Sequence, residues 1–167
     1  MKYLRDILKG VKVLDVIHQT DEIEGKICFD SRLAEKGDIF IAVRGTKTDG
    51  HIYIPEVSKK GVSCIICEDL PAERHKDICY VLVKDSHRAL AISASNFYKN
   101  PSRDLKLTGI TGTNGKTTIA SLLYRIFEQS GFKAGLISTI DIRFQGEVVG
   151  ATHTTPDPVR LNRVLRE

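Results

Sequence analysis

The chain has 167 residues, of which 41% are hydrophobic and 28% charged, with a formal net charge of +4. This is the composition of a folded globular protein long enough for one large domain or two small ones. Basic residues are scattered among acidic ones, which argues against nucleic-acid binding, and no apolar run approaches the roughly 20 residues that span a bilayer, so no membrane insertion is expected. The N-terminus has no signal-peptide core, which makes a cytoplasmic location the default.

In chain order, Leu4, Ile7 and Leu8 share one side of a short helix over residues 3–9, closed by Gly10. Residues 27–29 and 39–43 read as strands. Each is followed by a polar loop, Asp30-Ser31-Arg32 after the first and residues 44–51 after the second. Loops that follow strands commonly present ligand-binding groups. Asp30 and Ser31 suit a turn cap equally well, and Asp49-Gly50 a plain turn. Residues 53–60 suit a helix, 64–67 and 80–83 strands, and 86–99 a helix with Ala89, Leu90, Ile92, Ala94 and Phe97 on its buried side. Strand and helix alternate, as in an α/β domain. Asn100-Pro101-Ser102-Arg103 stops that helix, because a proline disfavours helical geometry in the residue before it. The tetrapeptide marks the expected boundary between a domain over 1–100 and another over 101–167.

Four cysteines, Cys28, Cys64, Cys67 and Cys79, include one C-x-x-C spacing. In a strand, positions three apart point to opposite faces, and no second pair or paired histidine completes a zinc set. Buried free thiols are expected.

The strongest local signal comes next. Residues 105–110 alternate as a strand should, and Ile119, Leu122, Leu123, Ile126 and Phe127 then recur at helical spacing as far as Gly131. Between them, Gly112 and Gly115 permit a tight turn that aims successive N–H groups at phosphate oxygens, and the helix N-terminus adds its positive end. Lys116 can reach the outer phosphates, and Thr117 carries the hydroxyl that such loops offer to Mg2+. Ile110 stands where the first glycine of the usual pattern belongs, so the loop is a variant one. Strand, loop and helix in this order point to a nucleoside triphosphate, against the alternative of a structural turn.

Residues 134–140 read as a further strand and 141–149 as a hairpin around Gln145-Gly146. Asp157 and Pro158 open a helix that carries Leu161, Val164 and Leu165. Two parallel strands and an unfinished helix do not cover a nucleotide-binding sheet, and no later carboxylate completes a Mg2+ site. The chain is therefore expected to be the first part of a longer protein.

As a set, these motifs resemble the Mur ligases, the ATP-dependent amide-forming enzymes of peptidoglycan precursor synthesis. Thr111-Gly112-Thr113-Asn114-Gly115-Lys116-Thr117-Thr118 resembles their ATP loop. Asp30-Ser31-Arg32, residues 37–45 and Asp49-Gly50-His51 resemble the uridine-nucleotide domain shared by the ligases for the third amino acid (MurE) and for the terminal dipeptide (MurF). Thr113-Asn114 and His153-Thr154-Thr155-Pro156-Asp157-Pro158 resemble the MurE branch specifically.

The resemblance implies an α/β fold in which a small uridine-nucleotide domain precedes the truncated start of a P-loop central domain. Phe29, Ser31, Thr46, Lys47 and Thr48 would contact the uridine part of UDP-N-acetylmuramoyl-L-alanyl-D-glutamate. His153, Thr154 and Thr155 would hold its muramoyl-peptide portion, with His153 standing where asparagine is common. Gly112, Thr113, Asn114, Gly115, Lys116, Thr117 and Thr118 would bind ATP, with Lys116 catalytic on the phosphates and Thr117 on Mg2+. The implied reaction phosphorylates the D-glutamate side-chain carboxylate, after which the amine of meso-diaminopimelate or L-lysine attacks the acyl phosphate. The family places its carbamylated lysine, further metal ligands and amino-acid domain later in the sequence, so the chain alone is expected to be inactive, and monomeric. Two alternatives stand beside this reading. One is a MurF-type dipeptide ligase, against which Asn114 and Thr154-Thr155-Pro156-Asp157-Pro158 argue; the other is a non-catalytic module that holds UDP compounds or ATP.

Overall fold

Three apolar runs dominate the first part of the molecule. A computed structural model describes residues 2–45, 48–150 and 155–167 and divides into two units, Met1–Asn100 and Pro101–Glu167. In the first unit β1 (Lys2–Tyr3), α1 (Leu4–Ile7), β2 (Val13–Ile17), β3 (Glu22–Ile23), β4 (Ile27–Cys28), β5 (Ile39–Ile41), α2 (Ile54–Lys59), β6 (Cys64–Cys67), β7 (Cys79–Val83) and α3 (Ser86–Phe97) follow in order. The main sheet has the order β2-β7-β6-β5-β4. Strands β4 to β7 are parallel, and β2 is antiparallel at one edge. A separate antiparallel pair joins β1 to β3.

Every residue of β5 and β6 is buried, as expected of parallel strands covered on both faces. On one face Phe40, Ile65, Cys67 and Tyr80 pack with Ile54 and Val57 of α2. Strand alternation turns Ile39, Ile41, Ile66 and Val81 to the opposite face, where α3 lies against β5 and β6 and α1 lies against α3. Burying each such side chain contributes about 1.5–3 kcal/mol, so these runs account for much of the unit's driving force.

A backbone crossing sets the entry of β4. Gly25 lies so close to the next connection that a Cβ on it would meet the carbonyl carbon and oxygen of Gly37 at 2.5 Å. Beside it, the buried Asp38 carboxylate accepts hydrogen bonds from the backbone N–H groups of Lys26 (2.9 Å) and Glu35 (3.0 Å). Gly25 before β4 and Asp38 before β5 thereby hold the two strands in register.

Several elements differ from the sequence expectation. The helix expected over 3–9 shrinks to α1 because Tyr3 pairs with Glu22 in the small ladder. Strand β2 carries no clear signal: Leu14 and Val16 are exposed on this edge strand, and its register shifts between Val13 and Asp15. All four cysteines are buried free thiols, and burial pushes those of Cys28 and Cys67 up to about 12.

The second unit contains α4 (Lys116–Gln129), β8 (Gly135–Ile137), β9 (Asp141–Phe144), β10 (Glu147–Gly150) and α5 (Pro158–Arg166). Its sheet is antiparallel, in the order β10-β9-β8: the β9–β10 pair is the hairpin expected over 141–149, whereas the second parallel strand expected beside residues 134–140 is not found among the described residues. Gln145 (φ 49°) and Gly146 (φ 81°) make the tight turn of the β9–β10 hairpin. Asp157 caps α5 by accepting from the N–H of Arg160 (2.9 Å), with Pro158 in the first turn. The strand expected over 105–110 is not formed. A strand exists only through its ladder, and among the described residues no strand pairs with this segment. The apolar stripe of α4 is likewise uncovered within the described unit: Leu122 and Ile126 are 53% and 56% exposed. No helix among the described residues is long and apolar enough to cross a membrane.

Candidate nucleotide-binding sites

In open parallel sheets, ligands are received at the carboxyl ends of the strands, where the backbone leaves the ladder and loops can take irregular shapes. Here β4 is followed by Phe29, Asp30 and Ser31, β5 by the turn over 44–51, β6 by Glu68 and Asp69, and β7 by Asp85 and Ser86. Parallel pairing carries four segments distant in sequence to one edge of the sheet.

After β4, Asp30 caps a short 3-10 turn, Ser31–Leu33, by accepting from the N–H of Arg32 (3.0 Å). The Arg32 guanidinium closes back on the same carboxylate at 2.9 and 2.6 Å. These bonds hold the Asp30 carboxyl below the usual aspartate range. Ser31 is buried, and its carbonyl accepts from Lys60 Nζ (2.7 Å). Phe29 is 38% exposed, which leaves part of its ring free to stack.

The turn after β5 is fastened at its base. Arg44 and Asp49 form an antiparallel bridge, and Gly45 N–H donates to the Thr48 carbonyl at 3.0 Å. Each residue of Asp49-Gly50-His51 then has a distinct part. Asp49 caps the 3-10 turn Gly50–Tyr53 by accepting from the N–H of His51 (2.9 Å). Gly50 N–H donates to the Val43 carbonyl (2.8 Å), and a Cβ on Gly50 would stand 2.7 Å from that oxygen, so only glycine permits the approach. His51 reaches across to β6, where its Nε2 accepts from the backbone N–H of Glu68 at 2.8 Å.

Arg44 lies among three carboxylates: Glu68 at 3.3 Å, Asp49 at 3.8 Å, and Asp69, to which it donates directly. The Glu68 carboxylate accepts from both the N–H (2.8 Å) and the hydroxyl (2.7 Å) of Ser86. Those two bonds hold it below the usual glutamate range. Sequence reasoning singled out the loop over 44–51 but passed over Glu68 and Ser86. An acidic residue directly after the buried run 64–67, and a serine opening α3, were the available signals. Thr48 is exposed on the turn, whereas Thr46 and Lys47 lie outside the described residues.

In the second unit the loop over 111–115 runs into α4 with Gly115 at the N-cap, in the left-handed region (φ 77°) and with no side chain to cap the helix. The first-turn N–H groups are left for another acceptor, which is the geometry an anion needs. Gly112, Thr113, Asn114, Gly115, Lys116 and Thr118 are exposed, and Thr117 is half-buried in the first turn. Lys116 folds back over its own loop, with Nζ donating to the carbonyls of Gly112 (2.5 Å) and Thr113 (3.1 Å). Thr155 is exposed just before α5, and His153 and Thr154 lie outside the described residues.

Both segments have counterparts among known proteins. Residues 26–98 match the Mur ligase family, catalytic domain, and residues 110–167 match the Mur ligase middle domain. The chain belongs to the Mur ligase family. The catalytic-domain match runs from β4 to α3 and so takes in the whole strand-end edge; the middle-domain match takes in the Lys116 loop. Among Mur ligase relatives, the chain is 49% identical over 165 residues to the UDP-N-acetylmuramoyl-L-alanyl-D-glutamate--2,6-diaminopimelate ligase of Cytophaga hutchinsonii, covering 98% of this chain and 34% of that protein. The protein of the same name from Bacteroides fragilis is 48% identical over 163 residues, covering 97% and 33%. The chain thus spans about a third of the length of these curated relatives. A solved UDP-N-acetylmuramoyl-L-alanyl-D-glutamate--2,6-diaminopimelate ligase shares the fold, with a TM-score of 0.69 at 20% identity over 99% of this chain and 33% of that one.

Proposed function

We propose that this Mur ligase chain carries the uridine-nucleotide and ATP loops of an ATP-dependent ligase that adds the third amino acid to UDP-N-acetylmuramoyl-L-alanyl-D-glutamate. The observation that carries the reading is the 49% identity over 165 residues to a ligase of that name, a span that includes both loops. The relatives' names give 2,6-diaminopimelate as the amino acid.

In this reading Phe29 and Ser31 at the end of β4, with Thr46, Lys47 and Thr48 on the next loop, take the uridine part of the substrate. His153, Thr154 and Thr155 hold the muramoyl-peptide part, and residues 112–118 take ATP. The geometry suits these parts: the partly exposed Phe29 and the buried Ser31 directly follow β4, on the sheet edge where ligands are received. A carboxylate is a poor acyl donor, so the substrate's D-glutamate side chain must first take the terminal phosphoryl group of ATP. The amine then attacks the carbonyl carbon of the mixed anhydride, and phosphate leaves. Lys116 would exchange its bonds to the Gly112 and Thr113 carbonyls for phosphate oxygens and so offset charge on the transferring group. Thr117 has the hydroxyl to hold Mg2+, which when bound neutralises further phosphate charge. A monomer in the cytoplasm, where ATP and UDP-linked precursors are found, belongs to the same reading.

Calorimetric titration with UDP-N-acetylmuramoyl-L-alanyl-D-glutamate, and separately with Mg-ATP, tests the proposal. The UDP compound should bind the wild-type chain and bind more weakly after Ser31→Ala. A folded chain that binds neither ligand refutes the reading.

A further inference from the structure

The strand-end edge of the first unit contains a closed circuit of polar contacts. Arg44 bridges to Asp49, Asp49 bonds the imidazole of His51 (2.6 Å), and His51 accepts from the N–H of Glu68 (2.8 Å). Glu68 holds Ser86, and the next residue, His87, donates from Nε2 to the Arg44 carbonyl (2.9 Å). The circuit ties together the ends of β5, β6 and β7.

The chemistry of His51 within it is fully specified. A backbone amide always carries its hydrogen, so the nitrogen facing Glu68 N–H must be a bare acceptor. Nδ1 faces the Asp49 carboxylate and must therefore carry the proton. The imidazole is nearly buried, with 11% of the side chain exposed. The same Asp49 oxygen also accepts the backbone N–H of His51, so the ring has one orientation that satisfies every partner.

We infer that His51 is a positioning residue for uridine-nucleotide binding: as the neutral, Nδ1-protonated tautomer it locks the Arg44–Asp49 turn, which bears Thr48, to the end of β6. The inference rests on the reading that this edge takes the UDP substrate. Its physical basis is preorganisation, since a turn held before the ligand arrives does not have to be ordered by it.

Two measurements test it. Long-range 15N–1H correlation spectra of the chain should show His51 protonated at Nδ1 with a bare Nε2; the opposite tautomer overturns the inference without any ligand being present. Titration with UDP-N-acetylmuramoyl-L-alanyl-D-glutamate should show binding about tenfold weaker in His51→Leu, which strands the Glu68 N–H, and largely restored in His51→Gln, whose amide can both accept and donate. Wild-type binding undiminished in a folded His51→Leu, or a His51→Gln no better than His51→Leu, overturns the positioning role while leaving the nucleotide reading intact. No binding by the wild type overturns both.

Discussion

Replacing Gly25 with alanine tests whether one backbone crossing sets where the loop after β4, proposed above to take the UDP substrate, falls. The added Cβ would stand 2.5 Å from the carbonyl carbon and oxygen of Gly37 and 2.6 Å from the nitrogen of Asp38, where ordinary contact begins at 3.4 Å. All three atoms belong to the backbone, so no rotamer change relieves the overlap. Three hydrogen bonds would have to yield together: Gly25 N–H to Gly37 O (3.2 Å), Lys26 N–H to Asp38 Oδ1 (2.9 Å) and Ile39 N–H to Lys26 O (2.8 Å). Overpacking costs about 1–3 kcal/mol, and each hydrogen bond lost adds about 1 kcal/mol. Together these come to about 4–6 kcal/mol, which corresponds to a melting temperature lower by roughly 16 °C or more in a unit of this size. Strand β4 begins at Ile27 and leads directly to Phe29 and Ser31. Affinity for the UDP compound should therefore also fall, by about tenfold or more, at temperatures where the variant is still folded. Circular dichroism melts and calorimetry read the two effects. Gly109→Ala is the control, because nothing lies within 4 Å of a Cβ there. A Gly25→Ala melt within about 0.5 kcal/mol of wild type, the scatter of ordinary surface substitutions, would refute the reasoning.

Other consequences can be checked separately. Lys116→Met should weaken Mg-ATP binding about tenfold or more in calorimetric titration, with the amide resonances of α4 unmoved; unchanged affinity would remove Lys116 from the site. Glu68 is held below its ordinary value of 4.5 by the N–H and hydroxyl of Ser86. Its contribution to stability is thus complete above that value and is lost as pH falls through the lower, folded-state value. Urea midpoints of the wild type and Glu68→Gln should differ at neutral pH and converge as the pH falls through the lowered folded-state value, and a constant gap would contradict the assignment. Burial pushes the Cys28 and Cys67 thiols up to about 12, so neither should react with an aromatic disulfide reagent at mildly alkaline pH until urea unfolds the chain. Rapid reaction of either in the folded protein would mean that β4 or β6 opens readily.

Much of the first unit could be read from residue order because its signals are local and strong. Residues 39–41 and 64–67 are continuous apolar runs, and such runs can be satisfied only inside a sheet covered on both faces. The junction of loop and helix at Gly115 was legible for a similar reason, since the glycine and the periodic helix that starts at Lys116 are adjacent in the chain. Strands β1 to β3 were not legible: β1 and β3 have two residues each, and in β2 Leu14 and Val16 remain exposed in the folded unit, so burial imposes no pattern there. Residues 105–110 failed in the opposite sense, having strand-like alternation but no ladder among the described residues to join.

Residue order alone offered a turn cap at Asp30, a turn at Asp49-Gly50 and a candidate phosphate loop before Lys116. It said nothing of which loops meet. Glu68, Ser86 and His87 join Arg44 and His51 only because β5, β6 and β7 lie in parallel register and end at the same edge. A hydrogen bond spanning 17 or 43 residues leaves no periodic trace in the chain. The tautomer of His51 is set in the same way, by the one amide hydrogen that the fold places in front of its Nε2.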